Sequence, residues 1–389
     1  MQVIIFGDLI TFPLYDAPAS TNRVISYARG LIDNGQKCYV LTFSNIYHKP
    51  IGKYEKIPFY IPLKQQKRNR NFLIRNVKKL IKYYNTFCFF WKLKKTKKKM
   101  VLLVYSRTPI VILYAFLISK IFKTKFIYEL NELPFKDAKS HFEKWVFQHI
   151  LFKTFDGFIC ISSYLENYSR KFSKKLAKTI IIPILTLPEK QLISVQSTRE
   201  TSVKYILYSG TLSFHRDGID DLIEAFSVVS RQFPDLYLVL GGKWVDDLTQ
   251  RGAIQLIENL NIVSKVVFKG LQSFEDYSKT VQNATLCCIP RKKTEETIAA
   301  FPTKLVDYLQ ESKPVIITSV GDISLYCTDG LNLFLVEPED SNCLAQKMIE
   351  VLRNYKMAEV VAVNGNKLAD DVFSYRENGI LLIKFLVKI

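Results

Sequence analysis

Short apolar runs alternate along this chain with amphipathic segments of helical period, on both sides of one polar stretch. Runs such as residues 2–6, 101–105 and 157–161 lack polar alternation, which is typical of strands buried on both faces of a sheet. Strands separated by helices form a parallel sheet. We therefore predict an α/β protein with two doubly wound, Rossmann-like domains facing across a cleft.

The polar stretch Glu189–Lys204 predicts the linker between the two domains. A chain of 389 residues is long enough for two such cores. We place an N-terminal domain at 1–190 and a second domain at 203–355. The helices predicted in 356–389 are expected to pack back on the N-terminal domain. The first strand and helix lack the glycine spacing of a dinucleotide fingerprint.

The positive charge is concentrated in the first half of the chain. Residues 1–195 carry 34 Lys and Arg against 11 Asp and Glu, a net charge of +23, whereas the whole chain carries +19. No acidic residue occurs between Glu55 and Glu129. Such asymmetry predicts an anionic partner for the first half, either a membrane surface or a nucleic acid.

The stretch 64–99 combines basic and aromatic residues. It contains fourteen Lys or Arg, a helical apolar stripe from Phe72 to Tyr84 and an aromatic cluster ending at Trp91. A basic amphipathic helix of this kind is typical of segments that bind anionic lipid headgroups. The alternative is a core-facing helix with a solvated basic back. No nucleic-acid module signature occurs, so we predict an anionic membrane surface as the partner and no nucleic acid.

Several features predict the compartment. The apolar segment 101–122 is interrupted by Arg107 and Pro109 and is too short on either side to cross a bilayer. The N-terminus resembles a first strand rather than a signal peptide. Seven cysteines without metal-ligand spacing fit a reducing environment. We expect a cytoplasmic protein, peripheral at the inner face of the plasma membrane, with no metal and no cofactor.

Basic residues follow several predicted strands of the second domain. Arg216 lies after the strand and glycine turn at Tyr208–Gly210, Arg291 ends another strand, and Lys304 precedes a helix. Because the carboxyl ends of parallel strands meet at one edge, we expect these three cations to converge. They would hold a diphosphate and stabilise the charge on it as it leaves. The alternative is three independent solvated side chains.

A carboxylate and three glycines complete this predicted pocket. Asp307 lies three residues after Lys304, about one helical turn further on, where it can accept the hydroxyls of a ribose. Gly241, Gly242 and Gly270 would let loop backbone approach a nucleobase closely. A surface ion pair between Lys304 and Asp307 is the simpler alternative.

Polar residues also follow strands of the first domain. The candidates for acceptor binding or for lining the cleft are Gly7, Ser20, Arg23, Glu129, Asn131 and Glu132. For Arg23 the alternative is a surface position at the start of a helix.

Three segments of the second domain resemble a known family. They are Tyr208–Leu212 with Arg216–Phe226, then Phe268–Leu271, then Phe301–Leu309 with Lys313–Ile316. Together they resemble the donor-binding domain of the family 4 glycosyltransferases over about 203–345. The resemblance implies a retaining enzyme of the GT-B fold that uses a nucleotide-diphosphate sugar without an essential metal.

The resemblance also implies roles for single residues. Arg216 with Arg291 or Lys304 would hold the diphosphate, and Asp307 would take the place of a ribose-binding glutamate. Gly210, Thr211, Thr303 and Glu296 complete the predicted donor-binding set. The sequence differs from the family pattern at Ala299, where a glutamate is common, and at Thr211, where a basic residue is common.

These observations predict a retaining glycosyltransferase. It would move a sugar from a nucleotide sugar to a polysaccharide or lipid-linked acceptor at the cytoplasmic membrane face. One alternative is a sugar-nucleotide epimerase of the same fold. The other, suggested by Ala299 and Thr211, is a peripheral membrane protein whose donor site has decayed.

Overall fold

A computed structural model describes residues 1–9, 19–43, 51–54, 56–63, 72–134, 141–187 and 203–389. The chain forms two compact units, Met1–Pro188 with Tyr375–Ile389, and Glu189–Ser374. The predicted linker lies outside the described residues except for Val203 and Lys204. Residues 64–71 of the basic stretch also lie outside them. Among the described helices, none has the length and apolarity needed to cross a membrane.

The elements follow the predicted alternation. The strands are β1 (Gln2–Gly7), β2 (Lys37–Thr42), β3 (Ile51–Tyr54), β4 (Ile57–Tyr60), β5 (Met100–Val104), β6 (Lys125–Leu130), β7 (Gly157–Cys160), β8 (Lys178–Ile181), β9 (Lys204–Leu212), β10 (Leu236–Trp244), β11 (Val266–Gly270), β12 (Leu286–Ile289), β13 (Val315–Thr318) and β14 (Phe334–Val336). The helices are α1 (Ala19–Asp33), α2 (Phe72–Lys94), α3 (Pro109–Ile121), α4 (His141–Val146), α5 (Ser163–Phe172), α6 (Phe214–Asp217), α7 (Ile219–Gln232), α8 (Asp247–Asn259), α9 (Phe274–Gln282), α10 (Glu295–Ala299), α11 (Thr303–Gln310), α12 (Ile323–Tyr326), α13 (Ser341–Arg353), α14 (Tyr355–Asp371) and α15 (Tyr375–Lys388).

The first unit contains an eight-stranded sheet in the order β3-β4-β2-β1-β5-β6-β7-β8. All of its pairs are parallel except that of β3 with β4. Every residue of β1 and β5 is buried, as their uninterrupted apolar sequences predicted. The strand order reverses between β1 and β5. The loops after these two strands therefore diverge, which is where a doubly wound sheet opens a crevice.

Helix α15 closes the first unit by packing on α1. A Cβ atom on Gly30 would lie 2.4 Å from the carbonyl oxygen of Tyr375 and 3.1 Å from the Cα of Gly379. Only glycine at both positions allows the two backbones to approach this closely. The segment 356–389, predicted to pack on the N-terminal domain as a whole, is divided: α14 belongs to the second unit and α15 to the first.

The second unit contains a six-stranded sheet in the order β11-β10-β9-β12-β13-β14, with parallel pairing throughout. Its core is formed by apolar side chains of the central strands together with those of α7 and α13. Two Rossmann-like sheets are thus confirmed. The carboxyl ends of β9, β10, β12 and β13 lie along one edge of this sheet, and they position the candidate site.

Candidate nucleotide-binding site

The segment that follows β9 contains a position, Gly218, that only glycine can occupy. Gly218 adopts φ = 63°, and a Cβ there would lie 1.9 Å from the carbonyl oxygen of Pro290. Just before it, the Ser213 side chain caps α6 by accepting the Arg216 backbone N–H at 3.3 Å. The Lys292 backbone N–H donates to the Arg216 carbonyl at 3.1 Å. The β9 turn and the end of β12 are therefore held together, which brings Arg216 near Arg291.

Asp217 occupies the centre of the cationic cluster. Arg216 donates to its Oδ2 from Nε at 3.0 Å and from Nη2 at 2.9 Å. The Lys304 Nζ lies 3.7 Å from its Oδ1. Burial by itself would raise the pKa of this carboxyl, but Lys304, Arg216 and Arg291 outweigh burial and hold the pKa below its usual value. Asp217 therefore stays ionised and anchors the basic side chains around it.

Lys304 is buried against the strand that precedes the turn. Its Nζ donates to the Tyr208 Oη at 2.6 Å and lies 3.8 Å from the centre of the Tyr208 ring. A Cβ on Gly210 would come within 2.5 Å of this Nζ, so the glycine leaves room for the ammonium group. Burial, only partly offset by Asp217, lowers the pKa of Lys304 to about 8.

Arg291 is the member of the cluster whose charge is least satisfied. The residue is 7% exposed, and its Nη1 is buried without a hydrogen-bond partner among the described residues. Burial lowers its pKa below the usual value, and Arg216 lowers it further, while Asp217 acts in the opposite direction. A buried guanidinium N–H without an acceptor costs free energy in the unliganded protein. It is a ready donor for an anion that enters the cluster.

Asp307 lies one turn further along α11. Its Oδ2 accepts a hydrogen bond from the Tyr277 Oη at 2.8 Å. The tyrosine is held on α9, and it fixes the orientation of this carboxylate. Nearby, the Ser209 N–H donates to the Tyr308 Oη at 2.9 Å, which ties α11 to the end of β9.

The glycines at the end of β10 lie close to neighbouring protein atoms. Gly242 has φ = 114°, and a Cβ there would lie 1.8 Å from the Gly210 carbonyl oxygen. A Cβ on Gly241 would lie 3.2 Å from the Gln272 Oε1, which is itself buried without a partner among the described residues. Gly270 has φ = 61° and open space beside it.

Three other predicted donor-site residues lie around this cluster. Thr211 and Thr303 are exposed at the β9 turn and at the start of α11. Glu296, on α10, interacts electrostatically with both Arg216 and Arg291. Ala299 is 1% exposed, so this position is part of the core and offers no carboxylate. Within the described ranges, no group of three or more His, Cys, Asp or Glu side chains could hold a metal ion.

Comparison with protein families decides what this unit is. Residues 189–368 match the family model described as "Glycosyl transferases group 1". This segment is similar to the glycosyltransferase group 1 domains, and residues 189–368 are called the group 1 domain from here on. The match includes the β9 turn, Arg291, Lys304 and Asp307, so the cationic cluster lies inside the group 1 domain.

Two similar proteins add context. A protein of Methanocaldococcus jannaschii named "Uncharacterized glycosyltransferase MJ1178" is 25% identical over 217 residues, 55% of this chain and 54% of that protein. The match thus spans about half the length of the relative. The crystal structure of Anabaena Alr3699/HepE in complex with UDP has a TM-score of 0.70 at 17% identity, with 100% of both chains covered.

A further solved structure has the same fold. Sucrose-phosphate synthase from Thermosynechococcus elongatus has a TM-score of 0.68 at 15% identity, covering 100% of this chain and 99% of the other. At such low identities the likeness shows the fold alone. The predicted GT-B architecture of two Rossmann-like domains is confirmed.

Sequence reasoning missed four side chains of the group 1 domain. Asp217 adjoins Arg216 and could have been found as an acid beside a predicted phosphate ligand. Tyr208 and Tyr277 are aromatic residues that any buried strand or helix could carry, and Gln272 is one polar residue in a loop. No local signal distinguishes the two tyrosines, because Tyr277 meets Asp307 across 30 positions and Tyr208 meets Lys304 across 96.

The pKa of Lys304 leads to a prediction for the stability of the group 1 domain. Between about pH 8 and the ordinary lysine value of about 10.4, the unfolded chain binds this proton and the folded chain does not. Unfolding free energy should therefore rise with pH across this window, at most by about 1.4 kcal/mol per pH unit. We expect chemical denaturation to show this rise in the wild type relative to Lys304→Met. Identical pH dependence in both proteins would contradict the burial of a lysine with a lowered pKa.

In the first unit, two predicted acceptor residues pair with each other in the interior. Arg23 donates from Nε to the Glu129 Oε1 at 2.5 Å and from its other nitrogens to the carbonyls of Pro183 at 2.6 Å and Ile182 at 2.7 Å. Both charged residues are 3% exposed. Their predicted role at the acceptor is corrected: they hold the segment after β8 against α1. Their separation of 106 positions gave no local sign of the pair.

The remaining first-unit candidates lie near the carboxyl ends of β1 and β6. A Cβ on Gly7 would lie 1.8 Å from the Tyr105 carbonyl oxygen, so this residue must be glycine. Asn131 donates to the Tyr105 Oη at 2.5 Å, and Glu132 lies 3.2 Å from Arg107. Ser20, at the start of α1, donates to the Leu9 carbonyl at 3.2 Å. Gly7, Asn131 and Glu132 therefore share one edge of the sheet.

Proposed function

We propose that the chain is a retaining glycosyltransferase that transfers a sugar from a nucleoside-diphosphate sugar to a glycan or lipid-linked acceptor. The observation that carries this proposal is the buried Nη1 of Arg291, which has no hydrogen-bond partner among the described residues. It lies beside Arg216 and Lys304 in the segment that matches the group 1 family. UDP bound to the Anabaena protein of the same fold supports a nucleotide donor.

The diphosphate of the donor would enter the cationic cluster. Its oxygens would accept hydrogen bonds from Arg291 and Arg216, and the protonated Lys304 would add a third positive charge. These groups are already in place around Asp217, so they need little reorganisation when the sugar–phosphate bond breaks. Fixed cations in a site with little water stabilise the negative charge that develops on the leaving diphosphate.

The nucleoside would lie along the neighbouring strand ends. The Asp307 carboxylate, oriented by Tyr277, would accept a ribose hydroxyl. The backbone at Gly241 and Gly242 would approach the base, and the Gln272 Oε1 would accept a hydrogen bond from a base N–H. A buried acceptor without a partner favours a ligand that supplies a donor at that point.

The acceptor would bind at the carboxyl edge of the first sheet, near Gly7, Asn131 and Glu132. Its hydroxyl would attack the face of the sugar from which the diphosphate leaves, which gives retention. Since Ala299 stands where the family carboxylate is expected near the donor sugar, sugar contacts must come from other groups. Glu296 is a candidate, because it interacts electrostatically with both Arg216 and Arg291. No step in this proposal uses a metal.

Transfer can be tested by following the donor with and without acceptor. UDP-sugars, GDP-sugars and ADP-sugars are incubated with the protein, with membrane lipid extract as the acceptor source. We expect release of the nucleoside diphosphate from one class of donor only when acceptor is present. Conversion of the donor without acceptor would instead support an epimerase, and no binding of any donor by calorimetry would support a decayed site.

We further propose that α2 and α3 bring the enzyme to an anionic membrane surface on the cytoplasmic side. Both helices expose large apolar side chains, among them Leu80 at 68%, Tyr84 at 67% and Leu117 at 58%. They are neighbours, because the rings of Tyr83 and Tyr114 lie 4.5 Å apart. The exposed apolar residues of this α2–α3 surface are Val77, Leu80, Ile81, Tyr84 and Trp91 on α2, and Ile110, Leu113, Leu117 and Ile121 on α3.

Flotation with vesicles containing phosphatidylglycerol tests the α2–α3 surface. We expect the wild type to float, and the double change Leu80→Asp with Leu117→Asp to reduce the bound fraction about tenfold, because apolar insertion is lost and charge repulsion is added. The control is Leu248→Asp, at a residue that is 75% exposed on the second unit. An equal loss in the control, or flotation of the double variant, would contradict the proposed surface.

A further inference from the structure

The first unit has a basic cavity at the free edge of its sheet. The cavity has a volume of about 750 Å³ and is bounded by the end of α5, the turn that follows it, strand β8 and the second half of α15. The residues that line it are Arg170, Ser173, Lys174, Lys175, Ala177, Lys178, Thr179, Ile180, Leu381, Lys384, Phe385 and Lys388.

The cavity lies away from the proposed acceptor site. Strand β8 begins at Lys178, so the cavity faces the amino half of the strand, whereas Gly7 and Asn131 follow the carboxyl ends of β1 and β6. All these strands run parallel. A ligand here would therefore not compete with substrates at the carboxyl edge of the same sheet.

Six of the lining residues are basic and none is acidic. Two of them pair with nearby acids: Arg170 lies 2.9 Å from Glu166, and Lys174 lies 2.6 Å from Asp156. The ends of α5 and α15 each contribute roughly half a negative charge at the cavity. An excess of about three positive charges remains after these contributions.

Three of the lysines carry this excess. Lys175, Lys384 and Lys388 form no ion pair with any carboxylate in the described part of the chain. All three are exposed, and they come from two different elements that converge on the cavity. Lys178 differs from them because its Nζ donates to the Lys388 carbonyl at 2.5 Å, which links β8 to α15.

The backbone of β8 adds hydrogen-bond donors. The N–H groups of Lys178 and Ile182 point toward β7, since they donate to the carbonyls of Asp156 and Cys160. N–H groups alternate in direction along a strand. The N–H of Thr179 therefore points to the free edge, where the described residues provide no neighbouring strand.

The floor of the cavity is apolar. Of its apolar residues, Phe385 belongs to the core of the first unit and Ile180 packs against that core. The third, Leu381, is 47% exposed. Lysine ammonium groups around an exposed N–H suit a compact multivalent anion, and the apolar floor suits a hydrocarbon or sugar body attached to it. A cavity of this volume holds a small molecule rather than a nucleic-acid strand.

We propose that this cavity binds a phosphate monoester that carries an apolar or sugar body. The ester phosphate lies among Lys175, Lys384 and Lys388, accepts the Thr179 N–H, and its body covers Leu381. The source of the ester is either a lipid of the phosphatidic acid type, whose headgroup is a phosphate monoester, or a soluble phosphate monoester, and both present the same dianion.

Calorimetry on the full chain tests the site with soluble dihexanoyl phosphatidic acid and with glycerol 3-phosphate. We expect saturable binding that weakens with added salt, and loss of about tenfold or more in affinity when Lys175, Lys384 and Lys388 are changed to Glu. The matched control changes Lys92, Lys95 and Lys98 to Glu, which are equally exposed residues of the same unit. This control should bind the soluble ester as the wild type does.

Vesicles containing phosphatidic acid separate the two sources when the protein carries Leu80→Asp and Leu117→Asp, so that the α2–α3 surface does not itself bind the vesicles. Binding to vesicles without binding of glycerol 3-phosphate identifies a lipid headgroup, and binding of glycerol 3-phosphate identifies a soluble ester. The proposal is overturned if neither probe binds, or if the cavity variant and the control lose affinity equally. Circular dichroism of both triple variants distinguishes loss of the site from loss of the fold.

Discussion

Replacement of Arg291 by methionine is expected to remove nearly all sugar transfer while leaving the fold at least as stable as before. The two effects have one cause. In the unliganded protein the guanidinium is buried with an unpartnered Nη1, and its lowered pKa means that the folded state disfavours its charge. In the transition state the same charge meets the leaving diphosphate. Methionine keeps most of the side-chain volume and removes only the charge and the hydrogen bonds.

The expected loss in kcat/KM is about a thousandfold, the size seen when a donor to a developing anion is removed. Initial rates at several donor concentrations, together with denaturation curves, measure both effects. Lys293→Met is the matched control, because Lys293 is exposed two residues away. A variant that keeps its activity within about threefold would contradict the assigned role. A variant that loses activity together with several kcal/mol of stability would assign Arg291 to the fold instead.

Replacement of Asp217 by asparagine is expected to have the largest effect on stability. The residue is 4% exposed, and its carboxylate contacts both Arg216 and Lys304. Without it, three cations are left close together with no anion among them. Breaking a buried pair by removing one partner costs about 3–5 kcal/mol. We expect a loss of about this size in unfolding free energy near neutral pH.

The loss of unfolding free energy in Asp217→Asn should depend on pH and on the presence of anions that bind the cluster. The pKa of Asp217 is lowered in the folded state, so its stabilising effect is present above the ordinary Asp value of about 3.9 and disappears as pH falls through the lower, folded value. The difference between wild type and Asp217→Asn should therefore shrink in acid. Inorganic pyrophosphate, which supplies the missing negative charge, should raise the melting temperature of the variant more than that of the wild type.

Asp220→Asn is the control for this variant. Asp220 pairs with Lys292 at 2.5 Å, but it lies nearer the surface, with 24% of its side chain exposed. A partly exposed pair is expected to contribute less than the buried cluster around Asp217, because fully exposed pairs contribute about 1 kcal/mol or less. Equal losses in the two variants would show that Asp217 is an ordinary surface partner and not the anchor of the cluster.

The fold was predictable from the sequence because each strand signal was local. Residues of β1 and β5 are apolar throughout and are buried throughout, and both sheets were predicted from such runs. The convergence of Arg216, Arg291 and Lys304 was predictable as well, since carboxyl ends of adjacent parallel strands meet at one edge. These arguments need only the positions of residues along strands and helices.

Side-chain partners were not predictable in the same way. The position of Asp217 between Arg216 and Lys304 depends on rotamers and on the turn at Gly218. Arg23 was expected at a cleft, but it meets Glu129 across 106 positions inside the first unit. The sequence also did not predict that α14 belongs to the second unit and α15 to the first. Both helices are amphipathic, and neither pattern specifies the unit on which the helix packs.

A crystal structure of the protein with UDP tests the central claim most directly. The account predicts the β-phosphate within hydrogen-bond distance of the Arg291 Nη1 and the Lys304 Nζ, with a ribose hydroxyl on Asp307. A diphosphate bound elsewhere, with the cationic cluster around Asp217 empty at saturating nucleotide, would contradict it.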